Sequence, residues 1–282
     1  MKFFAVAVLS FWLSVISVSA QQWEFGGWIG ISNYFGDLNT NTSFEYMGPG
    51  AGMLLRNNFS NRWAYKTGFN FGVVAFEDLA SGYPYQKARN LSFRSNIFEI
   101  SNEMEFNFMR YEKERPEFKF TPYLTIGVSI FFFNPTAEFE GKRYNLRDLG
   151  TEGQKNPDAE KRPYSRVSAA LVAGGGFKYA FHPKWALGIE TGVRKTFTDY
   201  LDDVSTVYPS GFSNGDGTSA DAQKLSDRSI EIGEPIGIPG KQRGTSKKKD
   251  HFLFTGISLT YTILKERCPS PSKVVGAGKR LF

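Results

Sequence analysis

A single cysteine, Cys268, and two histidines, His182 and His251, are the whole supply of soft metal ligands in 282 residues. One cysteine excludes a disulfide framework within the chain. One cysteine with two histidines excludes a zinc-type cluster, so no structural metal is expected. The phosphate-binding pattern Gly-x-x-x-x-Gly-Lys and the dinucleotide pattern Gly-x-Gly-x-x-Gly are both missing, and no cofactor or small-molecule substrate is expected. No apolar run of ~18 residues follows residue 20, which excludes a membrane helix beyond that point. The net charge of +6 is spread thinly. Its longest basic run, Lys247-Lys248-Lys249, reads as a solvated loop, and nucleic acid is not an expected partner.

Aromatics and glycine are what the chain has in quantity: 27 Phe, 13 Tyr and 29 Gly. Many aromatics, many glycines and few aliphatic runs suit an all-β protein. The first 20 residues read as a secretory signal peptide. Lys2 supplies a minimal basic start, an apolar stretch follows, and Ser17-Val18-Ser19-Ala20 precedes the expected cut.

From residue 21 the dominant signal is a period of two. In WEFGGWIGISNYF (residues 23–35), Trp23, Phe25, Ile29 and Ile31 share one face, and Glu24, Gly26, Gly30 and Ser32 the other. WAYKTGFNFGVVAF (63–76), the stretch 97–108 and WALGIETGVRKTF (185–197) repeat the alternation. FTPYLTIGVSIFFF, VSAALVAGGGFKYAF and HFLFTGISLTYTIL supply three more strands, and GPGAGMLLR a weaker one. Eight strands result.

A soluble sandwich can alternate in this way, but three features favour a membrane barrel. The strands are nearer the ~9–11 residues that cross a bilayer at a tilt than the usual five or six. The polar face combines small residues with charges of both signs, including Lys66, Glu99, Glu103, Glu190 and Arg194. Those five are expected to line the interior, forming ion pairs across adjacent strands. The connections alternate short (57–62, 109–117, 182–184) and long (37–45, 77–90, 134–165, 198–250). The expected architecture is therefore an eight-stranded antiparallel transmembrane β-barrel over residues 21–264. Short periplasmic turns and long extracellular loops place both mature termini in the periplasm of a bacterial outer membrane. Trp23, Trp63 and Trp185 open strands on the short-turn side and fit an aromatic girdle. The loop 198–250, rich in Gly and Ser, is expected to be partly mobile, without a core of its own.

The enzymatic signal is weak. Asp199, Asp202 and Asp203 in TDYLDDVST, with His251, allow a rim hydrolase to be drawn, but carboxylates at a loop start more often make local turns. No catalytic residue is expected. Residues 265–282 form a basic tail on the periplasmic side, in which Pro269 and Pro271 follow Cys268. An odd cysteine in an exported chain is either an incidental free thiol or one half of an intermolecular disulfide.

Several segments resemble the PorG family, outer-membrane barrels of the type IX secretion system of the Bacteroidetes. They are LSFRSNIFEISNEMEFNF (91–108), TPYLTIGVSIFFFNP (121–135), GGGFKYAF, LGIETGVRKTFTDYLDDVSTVY (187–208) and RGTSKKKDHFLFTGISL (243–259). The resemblance implies a non-enzymatic component, embedded in outer-membrane lipid. It also implies association with a periplasmic ring of a PorK-like lipoprotein and a PorN-like subunit, and a link to gliding motility. On that reading Lys265, Arg267, Lys273 and Cys268 would face the ring, with Cys268 a candidate disulfide to the PorK-like subunit. A general adhesion or membrane-integrity barrel is the alternative.

Overall fold

The computed structural model describes residues 22–157, 159, 162–213 and 216–263. Among the described residues nine strands are present: β1 (Gln22–Phe35), β2 (Gly48–Asn58), β3 (Trp63–Glu77), β4 (Ser92–Asn107), β5 (Phe120–Phe139), β6 (Lys142–Asn145), β7 (Val167–His182), β8 (Trp185–Thr196) and β9 (His251–Ile263). The sheet order β4-β3-β2-β1-β9-β8-β7-β5 closes through a β4–β5 ladder. The result is a closed eight-stranded antiparallel barrel with the last strand paired to the first. The ninth strand, β6, is a short hairpin return onto the far end of β5, inside the stretch expected to be open loop from residue 134. It forms because β5 continues past the end of its pairing with β7. It runs for 20 residues, and its protruding end needs a hydrogen-bonding partner.

The period of two decides which side each residue faces. On β1, Trp23, Phe25, Ile29 and Ile31 are exposed on the outside while Glu24 and Ser32 are buried inside. On β4, Phe98, Ile100 and Met104 point outward, and Glu99, Ser101, Glu103 and Glu105 inward. The outer wall is an apolar belt that would be costly in water and is suited to hydrocarbon. Trp23, Trp63 and Trp185 all face outward at the short-turn end. There Trp63 packs on Phe106 with ring centroids 4.8 Å apart, and Trp185 on Tyr261 at 5.0 Å. Gly174 and Gly176 sit mid-strand in β7, where a side-chain carbon at Gly174 would come within 2.5 Å of the Thr191 carbonyl oxygen. Close strand approach, not chain flexibility, explains that glycine run.

At the long-loop end the connections pack together. Leu38, Phe76, Leu91, Phe93, Leu146, Leu149, Leu201, Val204, Ala222 and Leu225 share one buried cluster with Tyr34, Phe131, Phe133, Phe252 and Phe254 at the strand ends. This corrects the expectation for residues 198–250. The loop carries a helix at Ser219–Ser226 and a bridge between Val207 and Gln242, and it buries apolar side chains. Its hydrophobic residues lack periodicity because their partners come from three other loops. We call this assembly the cap. The segment 1–20 and the tail 265–282, with Lys265, Arg267, Cys268 and Lys273, lie outside the described residues.

Candidate functional site

Two regions concentrate polar groups: the barrel lumen and the cap. In the lumen, Lys66 Nζ stands 2.6 Å from Glu190 Oε1, 3.1 Å from Glu103 Oε2 and 3.8 Å from Glu105 Oε1. Arg194 Nε lies 3.2 Å from Glu99 Oε2. All five side chains named from the sequence thus face inward, but only Lys66–Glu103 joins adjacent strands; Lys66–Glu190 and Arg194–Glu99 cross the lumen, because long side chains reach over a narrow barrel. The network is larger than the sequence reading foresaw. Arg56 joins Glu24 at 3.0 Å to Glu105 at 2.9 Å, Lys178 reaches Glu105 at 2.7 Å, and Lys113 reaches Glu24 at 3.0 Å. Among the described residues, five lumen carboxylates face five cations.

Lys113 comes from the turn 109–117, which reads as a plain solvated connection. It folds back into the barrel mouth instead, where Lys113 donates to Thr262 Oγ1 at 2.6 Å. Tyr111 from the same turn packs with Ala180 and Ala186. Deep burial of both residues closes the short-turn end. Higher in the lumen the contents turn aromatic, which the description of a small, polar inner face missed. Trp28 lies inside and donates its Nε1 hydrogen to Asn70 Oδ1 at 2.8 Å. It packs against Phe254 with centroids 5.4 Å apart. Gly50 and Gly256 leave the room: a side-chain carbon at Gly256 would lie 2.7 Å from the Trp28 ring. The even position of Trp28 in β1 was the available signal, since it shares the phase of Glu24 and Ser32. The remaining void, about 40 Å³ beside Lys66, Glu103, Glu190 and Arg194, suits ordered water and nothing larger.

The cap is held by two arginines. Arg89 donates Nε and Nη2 to the Asp78 carboxylate, each at 2.7 Å, and Nη1 to the Arg243 carbonyl at 2.6 Å. Arg243 in turn donates Nη1 to Glu152 Oε1 at 3.1 Å and to the Asp203 carbonyl at 2.7 Å. Two of the five segments that carry the resemblance meet here, through TDYLDD (198–203) and RGTSKKKD (243–250, RG…KD). The Leu201 amide donates to Asp250 Oδ2 at 2.9 Å, and the Asp250 amide to the Thr198 carbonyl at 3.2 Å. Asp202 accepts from the Tyr34 hydroxyl at the end of β1, and Asp203 from Thr151 and Tyr164. TDYLDD and RG…KD are therefore the interlock of the cap.

Burial raises the pKa of these acids. Asp202 and Asp250, enclosed and near each other, are held well above the ordinary carboxylate range. Burial pushes Asp203 up to about 6 against the opposing pull of Arg243 and the two hydroxyl donors. Asp199 is also moved by burial to about 6.

The groups named for a rim hydrolase are engaged elsewhere. His251 opens β9 on its outer side, whereas the three aspartates are buried and bond to Ser205, Tyr34, Val204, Thr151 and Tyr164. His182 closes β7 at the opposite end. The string GFSNG at 211–215 has the spelling of a nucleophile elbow, but no strand leads into Ser213. Among the described residues, no group of three or more His, Cys, Asp or Glu side chains is placed to hold a metal ion.

A family model described as a domain of unknown function, DUF6089, matches residues 2–212, from the N-terminal segment through β8 into the cap. The chain belongs to that family. None of the curated proteins matches it at a significant level. Among solved structures, Neisserial surface protein A is similar at 8% identity and a TM-score of 0.43, covering 87% of this chain and 100% of its own. A major outer membrane protein from Thermus thermophilus is similar at 12% identity and a TM-score of 0.42, with coverage of 87% and 100%. The Yersinia pestis attachment invasion locus protein Ail, in complex with a heparin analogue, follows at 11% and 0.38, with coverage of 86% and 97%. For this DUF6089 member the barrel assignment rests on its own closed strand pairing, not on these likenesses.

Proposed function

We propose that this chain is a non-enzymatic outer-membrane barrel of the type IX protein secretion system, holding a periplasmic ring of PorK- and PorN-like subunits to the membrane. The observation that carries the reading is the filled lumen. Ion pairs, Trp28, Phe254 and the inserted Lys113 leave no path for a solute. A solid barrel with an apolar belt serves as a post in the bilayer, and its work falls to its two ends. The interlock of TDYLDD with RG…KD gives a structural reason for the strings that carry the resemblance to PorG.

On this reading the basic tail, with Lys265, Arg267 and Lys273, meets the ring. Cys268 forms a disulfide to the PorK-like lipoprotein in the oxidising periplasm. The test is a pull-down of tagged protein from detergent-solubilised membranes with thiols blocked at harvest. Ring subunits should co-purify, and a heavier band should vanish on reduction and in Cys268→Ser. A barrel that purifies alone and runs as a monomer without reductant sinks the anchoring role. It would leave an adhesion function in its place, a reading favoured by the exposed Ile230, Ile232 and Ile238 on the cap.

A further inference from the structure

The outer wall is uncharged along most of the β8–β9 pair, and then a cationic cluster begins abruptly. On β8 the outward residues from the Trp185 girdle upward are Leu187, Ile189, Thr191 and Val193, followed by Lys195. Lys195 pairs in register with His251 of β9 on one side and with Leu171 of β7 on the other. Ten residues of strand rise ~33 Å, or ~25 Å along the normal of a tilted barrel, which matches the height of an apolar belt. The Lys195 ammonium therefore stands where hydrocarbon gives way to headgroups on the cap side.

More positive charge gathers just above it. Lys247, Lys248 and Lys249 are exposed in the segment leading into β9, and the His251 ring lies beside the Lys249 backbone. Among the described residues, none of these lysines has a carboxylate within 4.0 Å; Lys249 Nζ donates to the Ser246 carbonyl at 3.4 Å, and its charge also acts on the buried Asp199. The acids nearby turn inward: Asp250 accepts from Leu201, and Asp199 from Ser205. Beneath and beside the cluster, Leu171, Val193 and Phe197 are exposed and apolar. Exposed cations without a close carboxylate, standing over an apolar strip, match an amphiphile with an anionic head. A nucleic acid or a free anion would have no use for the strip.

We infer that the outer rim of β8 and β9, centred on Lys195 with Lys248 and Lys249, is a binding site for a phosphate-bearing glycolipid of the outer leaflet. The phosphate would sit on the lysines and the acyl chains along Leu171, Val193 and Phe197. A lysine at an anionic lipid surface contributes about a fivefold gain in binding. The inference rests on the outer-membrane reading above, with the cap outside.

The test uses folded protein in phosphatidylcholine vesicles doped with bisphosphorylated lipid A or with its dephosphorylated form. Native mass spectrometry then reads the glycolipid retained. Wild type should retain the phosphorylated form preferentially, and Lys195→Gln should lower that retention about fivefold. A Lys195→Gln/Lys248→Gln/Lys249→Gln variant should bring it to the dephosphorylated level, while Lys87→Gln in the cap leaves it unchanged. Equal retention of both lipids, or no loss in the triple variant, overturns the site. Displacement by millimolar inorganic phosphate reassigns it to the free anion and also overturns it. Failure of the membrane reading shows differently, as protein that gives no heat-modifiable folded band and does not fractionate with outer membranes.

Discussion

At the level of single residues, the lumen network makes the sharpest demands. Glu99 and Arg194 are both buried, and Arg194 also stacks over the Phe254 ring at 4.8 Å. Removing one partner strands the other in the buried interior, at a cost of about 3–5 kcal/mol. Arg194→Leu should therefore lower unfolding stability in detergent by that amount. Glu99→Leu added to it should restore much of the loss, because the charge left unpaired is then gone. If the double variant is weaker than the single one, the two charges do not act as one unit. Trp28→Ala should cost about 3–5 kcal/mol by leaving a cavity between Gly50, Gly256 and Phe254. Urea unfolding followed by loss of heat-modifiability measures both.

Among the elements, the cap is the part that pH can reach. Asp203 sits at about 6 and Asp199 likewise, while Asp202 and Asp250 stand higher than ordinary carboxylates. A raised folded pKa means that the folded state binds more protons than the unfolded one. These acids therefore favour the cap at mildly acidic pH, and the benefit drains away as pH climbs through 6. For Asp203 the full difference is about 3 kcal/mol. Protease should nick the loop 198–250 faster at pH 8 than at pH 5 relative to an unfolded control peptide, and Asp203→Asn should flatten the difference. Arg243→Ala strands Glu152 and the Asp203 carbonyl, so it should loosen the cap by about 3–5 kcal/mol while the barrel keeps its folded gel band. The strands behind these effects were legible because burial on one face writes a period of two into each of them. The cap was not. Leu201, Val204 and Leu225 find their partners in Leu38, Leu91 and Leu149, and a contact between separate loops leaves no local pattern. Lys113 was hidden for a related reason: a lysine in a turn looks solvated until its carboxylate, Glu24, is placed beside it by the first strand.

For the whole molecule, the filled lumen predicts electrical silence. In planar bilayers the purified barrel should stay at baseline conductance, and steady openings would mean that the plug formed by Trp28 and Lys113 moves aside. Orientation can be checked in a Cys268→Ser background. A membrane-impermeant maleimide should label Lys87→Cys on intact cells, and Arg115→Cys only after the outer membrane is breached. The pairing of β1 with β9 carries a further consequence, for the order of manufacture. The chain has no membrane-compatible form until residue 263 has been made, because until then both β1 and β8 expose an open edge that lipid cannot satisfy. The cap must wait as well, since Tyr34 lies at the end of the first strand and Asp250 leads into the last. On the outer-membrane reading, synthesis, crossing of the periplasm and insertion are thereby forced into sequence. A chain truncated anywhere in β9 should accumulate as a periplasmic protease substrate and never as a shorter barrel.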